Sequence, residues 1–333
     1  MKKRILTGDN PTGRLHLGHY VGSLENRVKL QDEYETFLIL ADMHALAYPK
    51  YVGDPKAVAD STIEVAFDYL AVGLDPKKVT IFAESLVPEI YELGIIFSML
   101  VTHARALRNP TIKDEIRDKS LGDAFSLGFI NFPILQAADI LCVQADLVPV
   151  GEDQLAHIEQ TNEIVRKFNS LYGGNALKEV EGLVGRVKRL VGTDGDAKMT
   201  KSLGNSIYLS DSKEELREKV MKMYTDPKRI HPTDPGTVEG NPVFVYHDVF
   251  NPDKAEVEDL KSRYKEGKVG DVEVKEKLFL ALGSFLSPIR ERRKKYEGNL
   301  EEVRKIILEG SEKVRKEAQN TLEEVKKQMK LQI

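Results

Sequence analysis

The stretch Arg4-Ile-Leu-Thr-Gly8, followed by Asp9-Asn-Pro-Thr-Gly13 and then by His16-Leu-Gly-His19, decides the fold. A short apolar run enters a Pro/Gly turn, and the turn leads to a helix start. Two more apolar runs of strand length follow, 36–42 and 79–83, the second rich in β-branched residues. Between them, 56–72 carries apolar residues at a spacing near 3.6 and reads as a helix. Strands that are apolar on both faces and separated by helices imply a parallel sheet covered on both sides. Such a sheet binds ligands beyond the C-terminal ends of its strands.

Past residue 209 the pattern changes. Helices are expected at 212–224, 256–264, 272–295 and 300–329. In the last, Val303, Ile307, Val314, Ala318, Leu322, Val325 and Met329 form one apolar stripe among Lys and Glu. Pro227, Pro232, Pro235 and Pro242 crowd the loop between the first two. The expected class is α/β: a parallel-sheet domain over 1–205 followed by an all-helical domain over 206–333, whose last helix can fold back on the first domain.

Composition bounds the function. At 333 residues, with 41% hydrophobic and 31% charged, the chain is globular and long enough for about two domains. The longest apolar run, 93–101, is interrupted by Ser98 and falls well short of the roughly 18 residues of a membrane helix. The opening residues reach Gly8 before a signal-type hydrophobic segment develops. The single cysteine, Cys142, excludes a disulfide framework and multi-cysteine zinc or iron–sulfur sites, and reads as an inert core thiol. A cytoplasmic protein without membrane association is expected. With 49 basic and 53 acidic residues, a net charge of −4 argues against duplex DNA as partner. The cluster Arg290-Glu-Arg-Arg-Lys-Lys295 could still touch phosphate, although a solvated helix face is the plainer reading.

Two motifs carry chemistry. In the first, His16 and His19 share a face at a helix start, where N–H groups and the positive end of the dipole suit an anion. Gly18 lets a nucleotide approach the backbone. Alone the motif is weak, since capping and packing, or a metal site, would use the same residues; no third metal ligand stands at a suitable spacing. The second is Gly192-Thr-Asp-Gly-Asp-Ala-Lys-Met-Thr-Lys-Ser202, then Gly204-Asn205. Its lysines, Lys198 and Lys201, can swing onto a polyphosphate. A solvated loop with two ordinary lysines is the alternative.

In this order and on these elements, the pair resembles the class I aminoacyl-tRNA synthetases and their Rossmann-like catalytic domain. Thr200 stands where the usual form of the lysine motif has serine, and keeps the hydroxyl. The turn Gly8-Asp-Asn-Pro-Thr-Gly13, the stretch Phe132-Pro-Ile-Leu-Gln-Ala-Ala-Asp-Ile-Leu141 and the run Val148-Pro-Val-Gly-Glu-Asp-Gln154 look like the tryptophanyl branch. The resemblance spans nearly the whole chain.

It implies a tryptophan–tRNA ligase that uses ATP as substrate with Mg²⁺, and has tRNA as partner and a homodimeric state. It implies catalytic roles for His16, His19, Lys198 and Lys201. The ATP site would comprise Asn10, Thr12, Gly18, His19, Lys113, Gly151, Asp153, Lys198, Met199, Lys201 and Ser202. The tryptophan pocket would comprise Leu6, Gly8, His44, Phe132, Gln136, Asp139, Val148, Val150 and Gln154. Phe132 and Leu6 depart from relatives that carry tyrosine and phenylalanine there, which bears on how tightly tryptophan is held. Asp139 sits in an apolar stretch, where a carboxylate needs a donor; an indole N–H is one. The alternative is that Asp139 points to solvent. Tyrosyl enzymes are similar here, so a tyrosine–tRNA ligase is a second reading. A non-catalytic RNA-binding paralogue is a third, and a small nucleotidyltransferase a fourth.

Overall fold

The computed structural model describes residues 2–118, 125–151, 155–184, 190–195, 199–227, 229–231 and 233–331. β1 (Arg4–Asp9) leads to α1 (Leu17–His19), which runs through a π-helical turn, Tyr20–Leu24, into α2 (Glu25–Leu30). β2 (Glu35–Leu40), α3 (Asp42–Ala45), α4 (Pro49–Val52), α5 (Pro55–Val72) and β3 (Val79–Ala83) follow. Then come α6 (Glu89–Ser98), α7 (His103–Leu107), α8 (Pro110–Asp118), α9 (Leu127–Cys142), β4 (Leu147–Val150), α10 (Leu155–Tyr172) and β5 (Glu181–Val184). The C-terminal part is helical: α11 (Lys213–Met221), α12 (Pro242–Phe250), α13 (Lys254–Lys265), α14 (Asp271–Glu297) and α15 (Leu300–Gln328).

The strands form one sheet in the order β3-β2-β1-β4-β5, every neighbouring pair parallel. Alternation along each strand divides the core between the two faces. Leu38 and Leu40 of β2, with Val79 and Ile81 of β3, join α5 and the C-terminal helices on one face. Phe37, Ile39 and Phe82 join α6, α9 and α10 on the other. The expected strands and the four long C-terminal helices are present within a few residues of their expected ends. Unforeseen were β4, broken in pattern by Pro149, and β5, only four residues with Gly182 inside. The proline-crowded loop ends in a helix, because Pro242 occupies the first turn of α12, where a missing N–H costs nothing.

α15 crosses the edge of the sheet. Its stripe divides there: Val303 and Ile307 belong to one core, and Val314, Ala318, Leu322 and Val325 to the other. At the crossing, Ser311 Oγ accepts the N–H of Ala83 on edge strand β3, 3.1 Å away, and donates to Ile307 O at 2.7 Å. An otherwise open strand edge is thereby satisfied. Gly310 allows the approach, since a Cβ there would lie 1.9 Å from the carbonyl oxygen of Ile81.

The basic cluster is mostly spent inside the molecule. Arg293 is buried and bonds Asp68, Glu64 and Glu297. Arg292 Nε donates to Ala71 O at 2.6 Å, and Arg290 Nη1 to Asp211 O at 3.1 Å. Arg292, Lys294 and Lys295 remain exposed, and among the described residues neither lysine makes such a bond. Asp68 passes the link onward, because its second oxygen accepts the N–H of Leu15 at 2.7 Å, one residue before His16.

Gly310→Ala should destabilise the chain by about 1–3 kcal/mol through forced separation of α15 and β3, despite a helix-propensity gain of about 1 kcal/mol. The denaturant midpoint should fall with its slope unchanged. An unchanged or raised midpoint would mean that the helix does not cross β3 this closely.

Candidate active site

Both motifs lie at the C-terminal end of β1. His16 precedes α1 with extended backbone, and its N–H donates to His19 Nδ1 at 3.2 Å. The two rings lie against each other, tilted by 48°, with centroids 3.8 Å apart. The expected helix start with open N–H groups takes another form. Leu17 N donates to Ile207 O at 2.9 Å, and Gly18 N to Met199 Sδ at 3.3 Å. A thioether is a weak acceptor, so the Gly18 bond is easily exchanged for a better one. A Cβ at Gly18 would press on the His16 ring at 2.9 Å and meet Met199 Cβ at 3.5 Å.

The lysine loop is folded against this turn. Lys201 Nζ donates to Gly13 O at 2.7 Å. Burial lowers its ammonium to about 8, against the pull of Asp9 and Asp68. Asn205 holds the loop: its Oδ1 accepts the N–H of Thr200 at 2.8 Å, and its Nδ2 donates to Asp194 at 2.9 Å. A surface cleft of about 560 Å³ opens beside Lys201, lined by Thr12, Arg14, Tyr208 and Arg293 among others. Asn10 is exposed just past β1, and Gly151 is half-buried just past β4. Lys113 is exposed on α8. Asp153, Gln154 and Lys198 lie outside the described residues, as does the side chain of Ser202.

Asp9 is a residue the sequence reading quoted without assigning it a role. Its carboxylate accepts from Arg27 at 2.6 Å and from Tyr69 Oη at 2.7 Å. Burial would raise it, but Arg27, then His19, hold it down at about 2. It is a fixed negative charge within electrostatic reach of His19.

The second cluster lies between β1, β4 and α9. Leu6 and Val148 are buried in the same core, with Val150 packed beside it. Gly8 is half-buried, and a Cβ there would lie 2.1 Å from Ile39 O, so close strand approach already accounts for the glycine. Phe132, Gln136 and Asp139 share one face of α9 at helical spacing. Asp139 is only 3% exposed, which removes the solvent-facing alternative. Its Oδ2 lies 3.6 Å from His44 Nδ1, and its Oδ1 has no hydrogen-bond partner among the described residues. His44 Nε2 lies 3.2 Å from Phe132 O, and Nδ1 lies 3.0 Å from Glu84 Oε2. Burial would lower the imidazole, but Glu84 and Asp139 raise it to about 9. Cys142 is an interior thiol that donates to Asp139 O at 3.1 Å and is pushed up by burial.

Glu84 was missed altogether. It sits at the end of an apolar strand, and nothing in the local pattern separates it from a solvent-facing glutamate. His44, Glu84 and Asp139 present ligand atoms within 4.8 Å of one another, a spacing that could suit a metal ion. However, a carbonyl can only accept, so Nε2 carries hydrogen. Nδ1 faces two carboxylates, which favour a second proton there, and a metal ion would have to displace that proton to coordinate.

The family model for class I tRNA synthetases, W and Y, matches residues 1–287. A tryptophan–tRNA ligase of Clostridium longisporum is 50% identical over 98% of this chain and 96% of its own length. One from Borreliella burgdorferi is 49% identical over 98% and 93%. The crystal structure of Campylobacter jejuni tryptophanyl-tRNA synthetase, complexed with ADP and tryptophan, superposes with a TM-score of 0.88 at 30% identity, covering 98% of this chain and 99% of that one. The tyrosyl-tRNA synthetase of Archaeoglobus fulgidus, at 23% identity and a TM-score of 0.65 over 88% and 90% of the two chains, shares the fold alone. The chain therefore belongs to the class I tRNA synthetases that serve tryptophan and tyrosine, and within them to the tryptophan–tRNA ligases.

Proposed function

We propose that ATP binds across the His16/His19 turn and the lysine loop, with the indole of tryptophan held between β1, β4 and α9. The observation that carries this reading is the contact of the two motifs: Met199 against Gly18, and Lys201 against Gly13. Phosphate oxygens are stronger acceptors than a thioether or a single carbonyl. ATP would take over both donors and draw Lys201, with Lys198, onto the phosphates. Asn10, Thr12, Gly18, Gly151 and Asp153 would hold the nucleoside side, with Lys113 and Ser202 at the phosphates. Mg²⁺ would arrive on the ATP phosphates, because Asp9 at this end is already committed to Arg27 and Tyr69.

The tryptophan carboxylate attacks the α-phosphorus in line, and pyrophosphate leaves. The chain forms no covalent bond. It orients the reactants, while His16, His19 and the lysines neutralise developing charge. A hydroxyl of the tRNA 3′-terminal adenosine then attacks the activated carbonyl. Leu6, Val148, Val150, Phe132 and His44 enclose the indole, Gln136 and Gln154 serve the amino group, and Asp139 accepts the indole N–H. A buried acceptor left unpaired by phenylalanine would make discrimination steep. Residues 1–205 carry the chemistry and 206–333 receive the tRNA, with Lys294 and Lys295 available to phosphate. A reaction on tRNA and ATP fits a cytoplasmic setting.

We also propose a homodimer. Ile95 on α6, Met99 just past its end and Leu127 at the start of α9 are 56%, 75% and 84% exposed, apolar side chains that a second copy would cover. Sedimentation should give twice the chain mass of 37.5 kDa. A single-chain mass at micromolar concentration would contradict it.

Lys201→Ala should lower the rate of adenylate formation about 100-fold or more, while changing tryptophan affinity little. Charge on Lys201 is lost as pH rises through about 8. So kcat/KM for ATP should fall above that pH, and Lys201→Arg should move the decline upward. An unchanged activation rate in Lys201→Ala would remove the residue from the chemistry.

A further inference from the structure

Glu84 lies directly after β3, fully buried, yet the reaction as described gives it no part. Its Oε2 accepts the backbone N–H of His44 at 3.2 Å and faces the ring Nδ1 at 3.0 Å. Its Oε1 has no partner among the described residues. Building on the assignment of Asp139 to the indole N–H, we propose that Glu84 is a positioning residue of the tryptophan pocket. It holds His44 doubly protonated between two carboxylates, so that the indole docks on Asp139 only as Asp139 gives up a proton.

The argument is one of donors and acceptors. His44 donates through Nε2 to the Phe132 carbonyl and through Nδ1 to Glu84, with Asp139 Oδ2 beyond at 3.6 Å. One buried cation cannot neutralise two buried carboxylates. Asp42, on the same helix as His44, adds a third carboxylate nearby. Tyr91 of α6 faces the group with a hydroxyl that has no partner among the described residues. Cys142 faces it from α9, and Glu89 beyond is already paired with Arg315 of α15. Burial, then Glu84, push the Asp139 carboxyl well above the usual range, while His44 opposes them. The empty pocket therefore keeps a proton on Asp139.

That proton has one good place. Oδ2 faces the imidazolium N–H, so the hydrogen sits on Oδ1, the oxygen without a partner. An indole N–H arriving there meets an O–H, two donors with no acceptor between them. Docking breaks the Asp139 O–H bond. The proton passes to the buffer, the indole N–H stays intact, and Oδ1 becomes the acceptor. Tryptophan affinity then rises with pH, because only ionised Asp139 accepts.

The test is proton release on tryptophan binding, measured calorimetrically on the full chain in buffers of unlike ionisation enthalpy. Tryptophan should release about one proton at neutral pH, and the analogue with benzothiophene in place of indole should release none. Glu84→Gln removes the competing anion and leaves Asp139 ionised beside His44. Its proton release should fall near zero, and the acid-side rise in tryptophan KM should move down by about one pH unit or more, with the KM for ATP unchanged. The same proton count and pH profile in both proteins would overturn the proposal. So would the absence of proton release from the unsubstituted chain, a result that does not depend on the variant folding. Asp139→Ala with an unchanged tryptophan KM would instead reject the pocket assignment, and the proposal with it.

Discussion

Parallel pairing of β1 with β2 on one side and β4 on the other is the constraint on which the rest depends. Parallel neighbours need crossovers, and the order β3-β2-β1-β4-β5 reverses direction at β1. The connections leaving β1 and β4 therefore diverge, and a crevice opens above their C-terminal ends. The turn 10–16, the paired histidines and the end of β4 stand around that crevice. β1 is buried by its neighbours, so the crevice has a rigid floor. The contacts that ATP would exchange, those of Met199 and Lys201, come from a loop held by Asn205 rather than from the sheet.

Charge burial is the second organising constraint. Four carboxylates lie in the interior near this edge, and each meets it differently. Asp9 has Arg27 and stays ionised. Asp68 has Arg293, but burial still raises it to about 6. Glu84 and Asp139 share one imidazolium. The groups tied to cations fix architecture: Asp68 joins α14 to the backbone just before His16. The group short of a cation is Asp139, the one assigned to the substrate. A buried carboxyl short of a cation keeps its proton until a ligand brings a donor in its place, and the cost of ionising it without that donor makes it selective.

Much of this was legible in the sequence, for identifiable reasons. Strands β1, β2 and β3 are continuous apolar runs, and the stripe of α15 repeats cleanly, so each announced itself. β4 hid because Pro149 breaks the strand pattern, and α12 hid because Pro242 reads as a loop when it is a first-turn residue. The site was legible where its residues are adjacent in sequence, as in 16–19 and 192–205. It was illegible where distant residues meet through the fold. Glu84 approaches His44 only because β2 and β3 pair in register, and Arg293 reaches Asp68 only because α14 packs on α5. Composition made 290–295 read as a solvated helix face that could touch phosphate, whereas its three arginines bond groups within the molecule.

Selection of tryptophan by a buried acceptor is the central claim. Its most direct test is amino-acid-dependent exchange of pyrophosphate into ATP, run with tryptophan, tyrosine, phenylalanine and no amino acid. Exchange with tryptophan, and none above background with the other two, is the predicted result. Exchange with phenylalanine, which brings no donor, comparable to that with tryptophan would contradict the account, as would tyrosine serving better than tryptophan.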